Sequence, residues 1–318
     1  MENEFPGPLG FQLALPRSWR IQILDRSEPT AARPLVRMAR FFDPAGPGET
    51  VIACAFLPRE VHPADWLRVY IGNARYQLID WRELPSRFGQ VGDALVLDEA
   101  ETEAVWHRLT PIKDGAHIFL IDSRMASPDP HAQEPAYMAV AHFRLLAPSG
   151  QPFAEPFYET ELITERPVRF MVSQLWHERE AGTSPPDGGA IRHFEHRDND
   201  QLLGALVAVA GVEGRITAAE IEAVTLHTFE ANDITIPTGP ELLYNHSRRG
   251  GETQVLAQVW RAVRAGQPLS VLSAQVSLRG VPVALTVLGP TAAEQMELWA
   301  IHRRAFDIAV DSLRPDLT

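Results

Sequence analysis

The segment from Thr291 to Leu313 constrains this chain most, because it reads as a long one-sided helix that must lie on a sheet. Met296, Trp299, Arg303, Phe306, Val310 and Leu313 advance by three or four and line up as one mostly apolar stripe. Leu298, Ile301, Ala305 and Ile308 widen it, and Glu297, Arg304 and Asp311 take the far side. Thr291 followed by Glu294 reads as a capping box behind Pro290, and Pro315 as a stop. At about 1.5 Å per residue such a helix runs roughly 35 Å, enough to cross a sheet. The preceding residues supply the sheet: an apolar run from Val255 to Val263, then a hairpin from Leu269 to Leu288 hinged at Leu278-Arg279-Gly280-Val281.

The chain before that segment alternates strands with short helices. Phe11–Leu15 and Trp19–Ile23 read as two short strands, and Leu35–Phe42 and Thr50–Leu57 as a pair joined by the turn residues 43–48. Pro63 opens a helix with Trp66, Leu67, Tyr70, Ile71 and Ala74 on one side. Leu78–Leu84, Ala94–Asp98, Ala104–Thr110 and His117–Arg124 follow as strands, and Asp129-Pro130 introduces a helix through Leu146 with Tyr137, Val140, Ala141 and Arg144 along one face. The proline-rich residues 149–164 read as a linker between domains at 1–148 and 165–318. Beyond it come a strand at Phe170–Trp176, a hairpin of Ala190–His196 and Leu202–Ala210 about Asp198-Asn199-Asp200, and a helix from Thr217 to Phe229. That helix has its own capping box at Thr217 and Glu220, with Ile221, Val224 and Thr228 inward.

The two parts share a register. Trp66, Leu67 and Tyr70 stand 154 positions before Glu220, Ile221 and Val224, and Val105-Trp106 stands 154 before Val259-Trp260. Ala136-Tyr137 and Ala305-Phe306 differ by 169, the excess falling in the hairpin before the last helix. This predicts a duplication, two copies making a pseudo-dimer within one chain.

Phe11, Leu13, Pro16 and Trp19 form a Phe-x-Leu-x-x-Pro-x-x-Trp pattern, which a hairpin, a helix, further strands and a helix ending Asp311-Ser312-Leu313-Arg314-Pro315 complete. In this the chain resembles the PsbP-like fold, an α/β/α sandwich around a curved antiparallel sheet. The second copy departs from the pattern at Phe170–Trp176, which lacks the proline. The fold expected is α+β, two tandem sandwich copies. The resemblance implies a binding module similar to the dimeric adaptor-chaperones of type VI secretion, whose concave sheets shield apolar N-terminal helices of effectors.

Composition narrows the function. A formal net charge of −12 argues against a duplex-binding role and so against a nucleic-acid partner. No apolar run is long enough for a membrane span, and Met1-Glu2-Asn3-Glu4 shows neither basic region nor apolar core, so a cytoplasmic location is expected. The single cysteine, Cys54, sits in an apolar run and reads as a buried thiol. The sequence carries no Gly-x-Ser-x-Gly elbow, phosphate-cradling loop, His-Glu-x-x-His or Cys-x-x-Cys, and Gly188-Gly189 and Gly250-Gly251 read as loops.

Residues 193–200, with His193, Glu195, His196, Asp198 and Asp200, form the richest cluster, but on a strand His193 and His196 face opposite sides, so a solvated hairpin tip is expected rather than a metal site. Asp98, Glu99, Glu101 and Glu103 read as a charged loop, Trp106 and Trp260 as core aromatics, and His107 and His227 as structural histidines. With no catalytic residue, metal ligand or cofactor site to assign, the expected function is a non-catalytic adaptor or chaperone binding a protein or apolar helical peptide, and the resemblance implies a type VI secretion effector as that partner. The alternatives are a hydrolase-like enzyme with a site between the copies and a structural subunit of a larger assembly.

Overall fold

The computed structural model describes all residues except 1–4, 6, 87–88, 100–103, 150–155, 180–188, 238, 249–252 and 316–318, and only the backbone of 84–86 and 89–90. Glu101, Glu103, Gly188, Gly250 and Gly251 thus lie outside the described residues. The chain divides into two compact units, Met1–Phe153 and Ala154–Thr318. It is α+β, mainly antiparallel sheet with four α-helices among the described residues. None of these helices is long and apolar enough to cross a membrane.

The first unit runs β1 (Phe11–Gln12), β2 (Arg20–Ile23), β3 (Leu35–Phe42), β4 (Glu49–Phe56), α1 (Pro63–Ala74), β5 (Gln77–Ser86), β6 (Gly89–Asp98), β7 (Val105–Asp114), β8 (His117–Met125), α2 (Pro130–Ala141) and β9 (Arg144–Leu145). Its seven-stranded sheet has the order β2-β3-β4-β8-β7-β6-β5, and β1 pairs separately with β9. Alternate residues of the central strands serve opposite cores. Ala53, Leu109 and Leu120 join Leu67 and Ile71 of α1. Ile52, Cys54, Ile112, Phe119 and Ile121 join Ala139 of α2 and Phe143. Cys54 is fully buried, and burial pushes its thiol pKa up.

The second unit runs β10 (Phe157–Leu162), β11 (Val168–Ser173), β12 (Trp176–Arg179), β13 (Ala190–Asp198), β14 (Gln201–Ala210), α3 (Ala218–Glu230), β15 (Ile234–Thr235), β16 (Glu241–Arg248), β17 (Thr253–Arg264), β18 (Gln267–Leu278), β19 (Val281–Pro290), α4 (Met296–Ser312) and β20 (Arg314–Pro315). Its eight-stranded sheet has the order β12-β13-β14-β19-β18-β17-β15, with β16 also on β17. Leu272, Ala274, Val283, Leu285 and Val287 pack with Trp299, Phe306 and Val310 of α4, whereas Val271 and Leu288 belong to a second cluster with Leu226 and Phe229 of α3. Here too each helix has its own face of the sheet. The order matches the first unit strand for strand if β12, β13, β14, β16, β17, β18 and β19 stand for β2 to β8, and the pair β11–β20 for β1–β9.

Several local expectations are revised. The last helix begins at Met296, and its 17 residues span about 25 Å. Strand β19 runs on to Pro290, and Thr291 closes a turn instead, its carbonyl accepting from the backbone N–H of Glu294 at 3.2 Å and Gln295 at 3.0 Å. Helix α2 stops at Ala141, because Arg144-Leu145 is claimed by β1, and it buries Gln133, Ala136 and Ala139 rather than the Tyr137 face. Phe157–Leu162, inside the proline-rich stretch, is a strand paired along its length with β11. Val105-Trp106 lies on β7 and Val259-Trp260 on β17, which occupy non-equivalent places in the two sheet orders.

Helix α3 keeps its capping box, the Thr217 hydroxyl accepting from the N–H of Glu220 at 3.2 Å and the Glu220 carboxylate from the N–H of Thr217 at 2.8 Å. Its buried residues are Ile221, Glu222 and Thr225, while Val224 is 63% exposed. Thr217→Ala should cost about 1 kcal/mol, readable as a lower midpoint in urea unfolding.

Candidate functional site

The buried polar side chains gather in sealed clusters. In the first unit Arg108 of β7 pairs with Asp93 of β6, donates to Gln133 Oε1 of α2 at 2.6 Å and lies over the Tyr137 ring at 4.6 Å. Thr110 adds a 2.7 Å hydrogen bond to Asp93. Arg108 and Asp93 are both essentially inaccessible. On the opposite face His107 Nδ1 meets Asp122 at 2.8 Å under the stacked ring of Tyr76, 5.0 Å between centroids. A carboxylate–imidazole pair of this kind can act as a base. The His107 Nε2, however, is buried without a hydrogen-bond partner and has no opening to a substrate.

In the second unit Glu222 of α3 accepts from Ser273 and, at 2.6 Å, from Gln275 of β18. The cluster at 193–200 divides as strand alternation requires: His196 turns into the core beside Phe194, while His193 is half-buried on the other side and Asp198, Asn199 and Asp200 are exposed. Among the described residues no group of three His, Cys, Asp or Glu side chains could hold a metal. His196 instead meets His302 of α4, a residue that sequence reading passed over, Nδ1 to Nε2 at 3.2 Å. His227 is a surface residue facing Glu230 at 3.5 Å, not a buried structural one. Trp106 and Trp260 are only partly buried, and Trp260 packs with the α3-side cluster. A shallow cleft of about 230 Å³ is lined by Thr164, Arg166, Gly211, Glu213 and Val281, with Arg166 and Glu213 closed on each other at 2.5 Å.

Five of the exposed apolar residues lie on outer strands: Ile21 and Ile23 on β2, Leu78 and Ile79 on β5, and Leu242 on β16. The longer outer strands of the two large sheets differ in how they resist an added strand. Strand β12 presents His177, Glu178 and Arg179. Strand β5 breaks register between Leu78 and Asp80, and β16 between Leu242 and Tyr244. Strand β2 has neither a bulge nor a carboxylate. Its four residues, Arg20, Ile21, Gln22 and Ile23, are all exposed, and it pairs on one side only, with β3. Ile21 lies opposite Phe41 and Ile23 opposite Ala39, so both continue the α2-side core past its last covered strand, at 40% and 37% exposure. This edge is the candidate site.

No protein-family model matches the chain, and no curated protein matches it. Among solved structures, the immunity protein TplEi of the type VI secretion system of Pseudomonas aeruginosa aligns at 13% identity over 100% of this chain and 97% of that one, with a TM-score of 0.25. The same protein complexed with "L" peptide aligns at 12% identity over 100% and 98%, with a TM-score of 0.24. The Tle4–Tli4 complex aligns at 11% identity over 99% and 96%, with a TM-score of 0.20. At such scores the fold of this chain is read from its own strands.

Proposed function

We propose that this chain is a non-catalytic protein-binding module that takes an extended segment of its partner along β2. One observation carries the reading: β2 is the unbulged, apolar edge of its sheet, with Ile21 and Ile23 exposed beside an unpaired backbone. A strand added there satisfies the outer N–H and C=O groups and covers both isoleucines, the mode of recognition known as β-augmentation.

The finer part of the proposal is a cytoplasmic adaptor or chaperone for a type VI secretion effector, as the resemblance to the PsbP-like group implies. The matching strand orders support reading the chain as two copies of one unit.

The test is affinity purification of the tagged full chain from its native cells, beside an Ile21→Asp/Ile23→Asp variant. The aspartates sit on an exposed edge, so circular dichroism and melting temperature should stay close to those of the parent. Recovery of one stoichiometric partner should fall at least about tenfold in the variant, a loss of about 1.4 kcal/mol. A partner that stays equally bound to the variant, or a parent that comes down alone, overturns the reading.

A further inference from the structure

We infer that His196 and His302 form an acid-sensitive latch, which holds α4 on the sheet of the second unit at neutral pH and loosens as the pH falls. The inference does not depend on what the protein binds. The two rings come from elements far apart in sequence, β13 and α4, and share one hydrogen bond at 3.2 Å while almost fully buried. Trp176 of β12 closes over both, with centroids 5.6 Å from His196 and 5.2 Å from His302.

The seat for His302 is built from glycines. A Cβ added at Gly204 of β14 would stand 2.6 Å from its Cε1 and Nε2, and one at Gly289 of β19 would press still closer on its Nδ1. That Nδ1 has no hydrogen-bond partner, and neither has the indole N–H of Trp176.

A proton arriving on the His302 ring meets no carboxylate among the described groups that face it. The titratable group facing His302 from β13 is His196; β12 offers Trp176, and β14 and β19 offer the two glycines. On α4 itself the adjacent charge, Arg303, is engaged with Asp307 at 2.9 Å. Burial first, and the neighbouring His196 second, hold the His302 pKa down at about 3. In the loosened state the ring recovers its ordinary affinity for a proton, about 6.5. The closed state is therefore fully favoured above about pH 6.5 and loses ground as the pH falls towards 3, because the open state binds the extra proton.

Amide hydrogen exchange of the full chain at pH 7.5 and at pH 4.5, corrected for intrinsic rates, tests this. Protection over Met296–Ser312 should drop about tenfold per pH unit below about 6, ahead of α3 and of the first unit. His302→Leu, which removes the titrating group while keeping an apolar side chain, should flatten that dependence. The parent protein gives a second readout that needs no variant: imidazole NMR should find the His302 ring still neutral at pH 5. Equal protection of α4 at both pH values, an unchanged dependence in the leucine variant, or a His302 ring that titrates near 6.5 would each overturn the latch.

Discussion

Asp93→Ala should destabilise the first unit by about 3–5 kcal/mol, the cost of leaving a buried guanidinium without its carboxylate. The magnitude follows from where the pair sits. Arg108 is 2% and Asp93 1% exposed, so water cannot take the place of the lost partner. Gln133 and Tyr137 would still hold the arginine in place, but neither carries a negative charge to balance it. Thr110 would also lose its acceptor. A melting temperature lower by roughly 10 °C in calorimetry is expected for a unit of this size. The double replacement Asp93→Leu/Arg108→Met should lose far less, because removing both charges removes the desolvation that their pairing offsets. A single alanine variant as stable as the parent would show that the cluster is wetter than its geometry implies.

Gly289→Ala should cost up to about 3 kcal/mol, at the upper end of what overpacking costs, and the loss should fall on the docking of α4. The new methyl would collide with the His302 ring, whose Cε1 would be 2.7 Å away, and the ring is held from the other side by Gly204 and by Trp176. It has nowhere to swing. If that collision is the cause, Gly289→Ala should cost much less in a His302→Ala background, and the double-mutant cycle should return a coupling of about 1–3 kcal/mol. Additive effects of the two changes would point instead to strain in β19 itself.

The hairpins and helices were legible because their signals are local. Leu35–Phe42 needs only its own residues to be read as a strand, and it is β3 to the residue. Arg279-Gly280 at the end of β18 makes a two-residue turn with φ of 48° and 90°, which glycine favours at its second position. The capping box at Thr217 closes within four residues. The buried stripe Trp299, Arg303, Phe306 and Val310 holds because helical period alone places those residues on one side. Capping failed at Thr291 for the opposite reason: whether a hydroxyl caps a helix or closes a turn depends on how far the strand before it pairs, and β19 pairs with β18 out to Pro290. The same rule moved Val224 outward, since Glu222 is drawn in by Ser273 and Gln275, some fifty residues away.

What the sequence determined by itself is the place of most helices and hairpins, the α+β class and the absence of the local motifs that mark common catalytic sites, whereas it passed over the strands at Phe157–Leu162 and Glu241–Arg248. Each is written in spacings of a few residues, where backbone geometry leaves little choice. Tertiary structure alone decided which charges are buried together and which edge is open. Asp93 meets Arg108 across two strands, and His196 meets His302 from positions 106 residues apart. The apolar character of Ile21 and Ile23 became informative only once β2 was known to be an outer strand, with no strand beyond it among the described residues. Burial is a property of the assembled sheet, and no window of sequence contains it.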